Sequence, residues 1–201
     1  MNIAIPKESK LKENRVAITP TVAADLIKKG FQITLEAGAG VSSFYSDEAY
    51  KNAGVAIQAD KESLYKNADV ILKVNAPSAS EIAWMKKDAI LISLMWAATN
   101  PELVSACEKA GISAFSMDAV PRISRAQKMD VLSSQANLGG YKAVLLAANQ
   151  IGKILPMMTT AAGTIKPCKV VIFGAGVAGL QAIATAKRLG AVVEVTDIRP
   201  E

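Results

Sequence analysis

The chain has 201 residues, 51% of them apolar and 20% charged, enough to bury a sizeable core in one or two domains, which argues against disorder. Its surplus of +5 is scattered along the sequence with few aromatics, so it attracts anions modestly and leaves no nucleic-acid footprint. Cys107 and Cys168 stand far apart without partners, which suggests neither a disulfide framework nor a zinc site, and histidine is absent altogether.

The N-terminus, MNIAIPKESK, places a proline and charges where a signal peptide carries an unbroken apolar run. The most apolar runs are shorter than the roughly 20 residues that a membrane-spanning helix needs. A soluble chain in a reducing, cytoplasmic setting is therefore expected.

Short β-rich runs recur at 2–5, 31–35, 55–57, 70–74, 90–94 and 112–115, and most read as buried strands. Helix-period segments lie between them at 21–29, 47–53, 61–67, 81–87 and 101–110. Such alternation predicts a mostly parallel sheet with helices on both faces. Thr19-Pro20 and Asn100-Pro101 each put a capping side chain before a proline at the first helical position. Leu94, Met95 and Trp96 read as a partly buried apolar cluster at a strand end.

Between residues 122 and 141 the sequence RISRAQKMDVLSSQANLGGY concentrates polar side chains between two ordinary fold segments. A nicotinamide carboxamide offers one acceptor and two donors, and Arg122, Gln127, Asp130 and Ser133 supply the matching set. The same residues also fit a solvated loop in which Asp130 or Ser133 caps a helix. Arg125 and Lys128 read as solvated cations or partners of acidic surface, with Arg125 kept among the cofactor-binding candidates. The helix that follows starts near Ser133 or Ser134 and ends about Gly152. Gly139 and Gly140 inside it imply either a close approach by another backbone or ligand, or a kink. MMTTAAGT, residues 157–164, reads as an irregular connection, with Met157 and Met158 as interface contacts or loop filling.

A short buried strand at 169–173, a glycine-rich turn, a helix to about Leu189 and a strand at 192–196 complete one βαβ unit. Gly174, Gly176 and Gly179 form GxGxxG directly after the strand and at the start of the helix. Gly174 allows the tight turn, Gly176 leaves room for a pyrophosphate, and Gly179 lets helix and strand pack closely. Asp197 ends the next strand, where a carboxylate receives ribose hydroxyls and repels a 2′-phosphate, so NAD is preferred over NADP. Arg199 keeps NADP open, since an arginine there can receive that phosphate.

The strings PRISRAQKMDVLSSQANLGGYKAV, PMMTTAAGT and FGAGVAGLQAIATAKRLGAVVEVTDIRP resemble the alpha subunit, the NAD(H)-binding component, of proton-translocating NAD(P) transhydrogenases. IAIPKESKLKENRVAITP is similar across the wider superfamily that includes alanine dehydrogenases. The resemblance implies an α/β fold of two Rossmann-like, doubly wound parallel-sheet domains joined by a long helix. Residues 1–130 would form the first, 131–155 the connecting helix, and 156–201 the first βαβ unit of an incomplete second domain. It further implies a homodimer that passes hydride to an NADP-binding partner, with peripheral membrane attachment only through partner subunits.

By the same resemblance Arg122, Gln127 and Asp130 belong to a mobile nicotinamide-side loop, with Ser133 beside it. Ala175, Gly176 and Val177 would lie at the pyrophosphate, and Asp197, Ile198 and Arg199 at the adenosine ribose. Arg15 and Lys73 resemble the carboxylate and carbonyl binders of alanine dehydrogenase, or are inherited residues that tie loops together. Direct hydride transfer between two nicotinamides asks mainly for ring positioning. Alanine dehydrogenase chemistry needs proton transfer, and the histidine that supplies it in that family has no counterpart here, where Trp96 follows the strand instead. The alternatives are an alanine dehydrogenase-like enzyme and an inactive dimerisation or binding fragment.

Overall fold

A computed structural model describes Met1–Arg199, so Pro200 and Glu201, the end of the expected βαβ span, lie outside the described residues. The chain divides into two compact units, Met1–Pro121 and the residues from Arg122 onward.

The first unit runs β1 (Asn2–Ile5), α1 (Pro20–Lys28), β2 (Gln32–Glu36), α2 (Asp47–Asn52), β3 (Ala56–Gln58), α3 (Lys61–Lys66), β4 (Val70–Asn75), α4 (Ala79–Trp84), β5 (Ile90–Leu94), α5 (Pro101–Ala110) and β6 (Ser113–Ser116). Its six strands are all parallel in the order β3-β2-β1-β4-β5-β6. That is a doubly wound order, and the winding reverses between β1 and β4.

Alternation along the strands splits the core in two. Ile3 and Ile5 of β1 join Leu35 and Tyr50 in one cluster, whereas Ala4 joins Ile71, Leu91, Leu64 and Tyr65 in the other. The central strands are buried as their composition predicts, but edge strand β6 is largely exposed.

Local capping sets the helix starts. Thr19 Oγ1 accepts the Val22 amide, and Ser46 and Asp60 do the same for Ala49 and Ser63. Ser78 and Glu81 form a reciprocal capping box, which starts α4 at Ala79 rather than at the expected Glu81. Asn100 departs from expectation: its side chain does not cap α5 but donates to the carbonyls of Met95 and Trp96, both at 3.1 Å.

The second unit opens with a 3₁₀ turn at Ser124–Met129, then α6 (Val131–Gln150), β7 (Met158–Thr160), β8 (Gly163–Ile165), β9 (Lys169–Phe173), α7 (Val177–Arg188) and β10 (Val192–Thr196). β9 and β10 pair in parallel around α7, the expected βαβ unit. Three readings are corrected. Residues 157–164 are no irregular connection, because β7 and β8 pair as an antiparallel hairpin turning at Ala161-Ala162 before Gly163 at φ 136°. α6 begins at Val131, earlier than Ser133, because Asp130 is its N-cap. β9 is not buried: Val171 and Phe173 are exposed because only two strands share this sheet.

Candidate functional site

α6 and α7 meet almost backbone to backbone. A Cβ on Gly140 would lie 2.1 Å from the Ala178 carbonyl oxygen, so of the two readings of this glycine pair, close approach holds at Gly140. Gly139 has nothing within 4 Å. Ala178 belongs to the glycine-rich turn and first turn of α7, so the contact seats the middle of α6 on that turn, and the start of α6, through Leu132, Ser133 and Ala136, lines a cleft with it.

The turn itself has the shape its glycines require. Gly174 sits at φ 97°, a conformation that L side chains rarely adopt, and its amide donates to the Thr196 carbonyl at 2.7 Å. A Cβ on Gly179 would stand 1.8 Å from the Gly174 carbonyl oxygen, so helix and strand touch through it. Gly176 is the N-cap of α7, has open space around it and contributes no capping side chain. The amides at this helix start therefore lack side-chain acceptors and, with the helix dipole, favour an anion.

A cleft of about 330 Å³ lies between the two elements, with Arg122, Ser133 and Ala136 on one side and Phe173, Gly176 and Val177 on the other. Arg122, Ser133, Gly174, Gly176, Val177 and Gly179, all candidates from sequence, are thus brought together. Arg125 and Gln127 are exposed on the 3₁₀ turn and do not line this cleft.

Asp130 caps α6, Oδ1 accepting the Ser133 amide at 2.9 Å and Oδ2 the Ser133 hydroxyl at 2.6 Å. Those two bonds, helped by the charge of Arg122, hold its carboxyl below the usual range. The helix-cap reading of Asp130 is therefore realised in the fold, with both oxygens of the carboxylate bonded to Ser133.

Asp197 lies at the far end of the turn. Its Oδ2 accepts the Ala175 amide at 2.6 Å and its Oδ1 the Arg199 amide at 2.9 Å, and these bonds lower its pKa. Arg199 Nε approaches the same carboxylate at 3.5 Å. Ile198 is fully exposed beside them.

In the first unit, a second cleft of about 350 Å³ opens at the carboxyl ends of β1, β4 and β5, lined by Glu8, Lys10, Asn75, Trp96 and Asn100 among others. The two cations singled out from sequence do not line this cleft and are engaged by carboxylates. Arg15 pairs with Glu13 at 2.7 Å, and the guanidinium holds Glu13 down to about 2. Lys73, 5% exposed, donates to Glu81 at 3.2 Å and lies 4.0 Å from Glu8. Glu8 also accepts the amides of Val74 and Asn75, so these contacts tie the β1 loop to β4.

Trp96 corrects its sequence reading. Met95 is buried, but Trp96 is 51% exposed at φ 52°, in the left-handed region, instead of packing into an apolar cluster. Asp118 stabilises that bend, its Oδ1 accepting the amides of Met95 and Trp96 at 2.8 and 3.0 Å. Glu8, Glu81 and Asp118 were not singled out from sequence; only the Ser78-x-x-Glu81 capping box left a readable signal.

Among the described residues no helix is long and apolar enough to cross a membrane. Known proteins resemble the chain along its whole length. An NAD(P) transhydrogenase subunit alpha chain of Rhodospirillum rubrum is 49% identical over 204 residues, covering 99% of this chain and 53% of that protein. The alanine dehydrogenase of Bacillus subtilis is 31% identical over 100% of this chain and 53% of its own length. A solved transhydrogenase from Sinorhizobium meliloti superposes with a TM-score of 0.96 at 50% identity, covering all of this chain and 57% of that one. The chain thus spans about half the length of the curated relatives it matches. Residues 4–139 match the Alanine dehydrogenase/PNT N-terminal domain and 143–201 the Alanine dehydrogenase/PNT C-terminal domain. With its doubly wound sheet and glycine-rich βαβ unit, the chain belongs to the alanine dehydrogenase/PNT family.

Proposed function

We propose that this chain supplies the NAD(H)-binding component of a proton-translocating, Re/Si-specific NAD(P) transhydrogenase, in which hydride passes directly between NAD(H) and NADP(H). The observation that carries this reading is the cleft in which Arg122 and Ser133 face the Gly174–Gly179 turn. Relatives named as transhydrogenase alpha subunits are also more alike to it than alanine dehydrogenases, at 49% against 31% identity.

The residues present fit a dinucleotide. Open space beside Gly176 and the uncapped start of α7 suit a pyrophosphate, with Ala175, Gly176 and Val177 alongside it. Asp197, with Ile198 and Arg199 as neighbours, receives the adenosine ribose, and its charge selects NAD over NADP. In this reading Arg122, Gln127 and Asp130 orient the nicotinamide ring, with Ser133 and Arg125 beside them; Arg122 and Ser133 line the cleft, and Gln127 and Arg125 stand outside its lining on the adjoining 3₁₀ turn. When bound, the nicotinamide supplies the hydride. The protein's own work is to hold the ring in line and exclude water, which asks for no proton-transfer group.

The partners in this reading are a second copy of the chain and an NADP-binding, membrane-embedded subunit, with attachment to the membrane only through the latter. Exposed Leu138, Tyr141 and Leu146 of α6, with Met157 and Met158 at the start of the hairpin, offer apolar surface for such contacts. An alanine dehydrogenase reading is less favoured, because Arg15 and Lys73 are held by Glu13 and Glu81.

Asp130→Asn tests the nicotinamide-side role. Asparagine still caps a helix, so α6 keeps its start while the charge next to Arg122 is lost. In the full-length protein reconstituted with its NADP-binding partner, we expect hydride transfer from NADH to an NADP analogue to slow roughly tenfold, about 1.4 kcal/mol. An unchanged rate would remove Asp130 from the site.

A further inference from the structure

Asp197 is bonded to the glycine-rich turn before any nucleotide is considered. Ala175 sits between Gly174, anchored through its amide to the Thr196 carbonyl, and Gly176, which leaves the start of α7 without a capping side chain. The Ala175 amide has its acceptor in the Asp197 carboxylate, across 22 residues of sequence, at 2.6 Å. A turn with glycine on both sides of Ala175 has many conformers open to it. One short bond to an ionised acceptor is among the stronger ways to select one of them.

Building on the dinucleotide reading of this cleft, we infer that Asp197 is a positioning residue for the phosphate-facing turn, acting through the Ala175 amide, in addition to receiving the ribose. The two roles are compatible. A carboxylate offers about four lone-pair sites: Oδ1 accepts the Arg199 amide and meets Arg199 Nε at 3.5 Å, and Oδ2 accepts the Ala175 amide, so about one site, on Oδ2, stays open to a ribose hydroxyl. The structure thereby assigns to one side chain a coupling between the phosphate end and the ribose end of the site. Its consequence is that substituting Asp197 weakens even a ligand that has no ribose hydroxyls to lose.

The test uses the full-length protein and two probes, NADH and its analogue lacking both hydroxyls on the adenosine ribose. Asp197→Ala should weaken the dideoxy analogue roughly tenfold or more, the effect of a lost hydrogen bond to a charged group. Asp197→Asn, whose amide oxygen can still accept from Ala175, should recover most of that loss. Equal affinity of the wild type and Asp197→Ala for the dideoxy analogue would overturn the inference and leave Asp197 a ribose contact only.

A second readout needs no nucleotide. Hydrogen exchange at the Ala175 amide should quicken roughly tenfold in Asp197→Ala while Gly174, bonded to Thr196, stays protected. Unchanged protection at Ala175, or equal loss at both amides from general opening of the strand end, would overturn it. Should the wild type bind no NADH, the dinucleotide reading falls and the exchange result alone decides this one.

Discussion

Gly179→Ala should unfold the start of α7 from β9 and, on the reading proposed above, abolish NADH binding by the full-length protein. The added Cβ would meet the Gly174 carbonyl oxygen at 1.8 Å, and that atom is backbone, so no rotamer change relieves the clash. Overpacking typically costs about 1–3 kcal/mol and occasionally more, and a backbone clash in the turn lies at the upper end. Gly140→Ala should act in the same direction, because its Cβ would meet the Ala178 carbonyl oxygen at 2.1 Å. Gly139→Ala supplies the control. It lies in the interior of the same helix with open space around it, so alanine there should stabilise by roughly 0.5–1 kcal/mol. Denaturant unfolding of the three variants checks this ordering, and equal effects at Gly139 and Gly140 would contradict the close packing of α6 on α7.

Glu81→Gln should be the most damaging change in the first unit. The Lys73 side chain is 1% exposed, and with Glu81 neutral its nearest carboxylate is Glu8, at 4.0 Å. Removing one partner of a buried pair costs about 3–5 kcal/mol, because the other charge stays buried. The same group makes the unit acid-sensitive. Burial opposes ionisation of Glu81, but the Lys61 ammonium, the Ser78 amide and Lys73 outweigh it and hold the carboxyl at about 2 instead of 4.5. A carboxyl lowered on folding contributes stability that is fully present above about pH 4.5 and is lost as pH falls toward 2. The contribution is on the order of 3 kcal/mol. Glu13, held near 2 by Arg15, adds to the loss in the same window, discounted for the solvent around Arg15. Urea unfolding at pH 7 and pH 3 should show the fall in wild type and a smaller fall in Glu81→Gln. A wild-type midpoint independent of pH would refute the assignment.

Features that depend on neighbours in sequence were legible. The GxGxxG turn after β9, the cap at Thr19, and the alternation that builds a parallel sheet all depend on residues a few positions apart, whereas the Ser78-x-x-Glu81 box, equally local, was passed over. Gly140 was legible only as an anomaly, because its partner Ala178 is 38 positions away. The pairing of Lys73 with Glu8 and Glu81 was hidden for the same reason: a lysine within an apolar strand shows no partner until β1 and α4 are placed over it. The hairpin at 158–165 was missed because its strands are three residues each, too short for alternation to register. Trp96 was misread because its left-handed bend depends on Asp118, more than twenty residues later. At Asp130 the sequence allowed both a cap and a ligand-facing carboxylate. The fold supplies the cap, and Asn at this position separates the two.

The central claim is that the cleft between the start of α6 and the glycine-rich turn is an NAD(H) site whose selectivity lies in Asp197. Calorimetric titration of NADH and NADPH into the full-length protein tests it most directly. We expect NADH to bind at least about tenfold more tightly, a difference of roughly 1.4 kcal/mol, because Asp197 repels a 2′-phosphate. Equal affinity for the two would contradict the account.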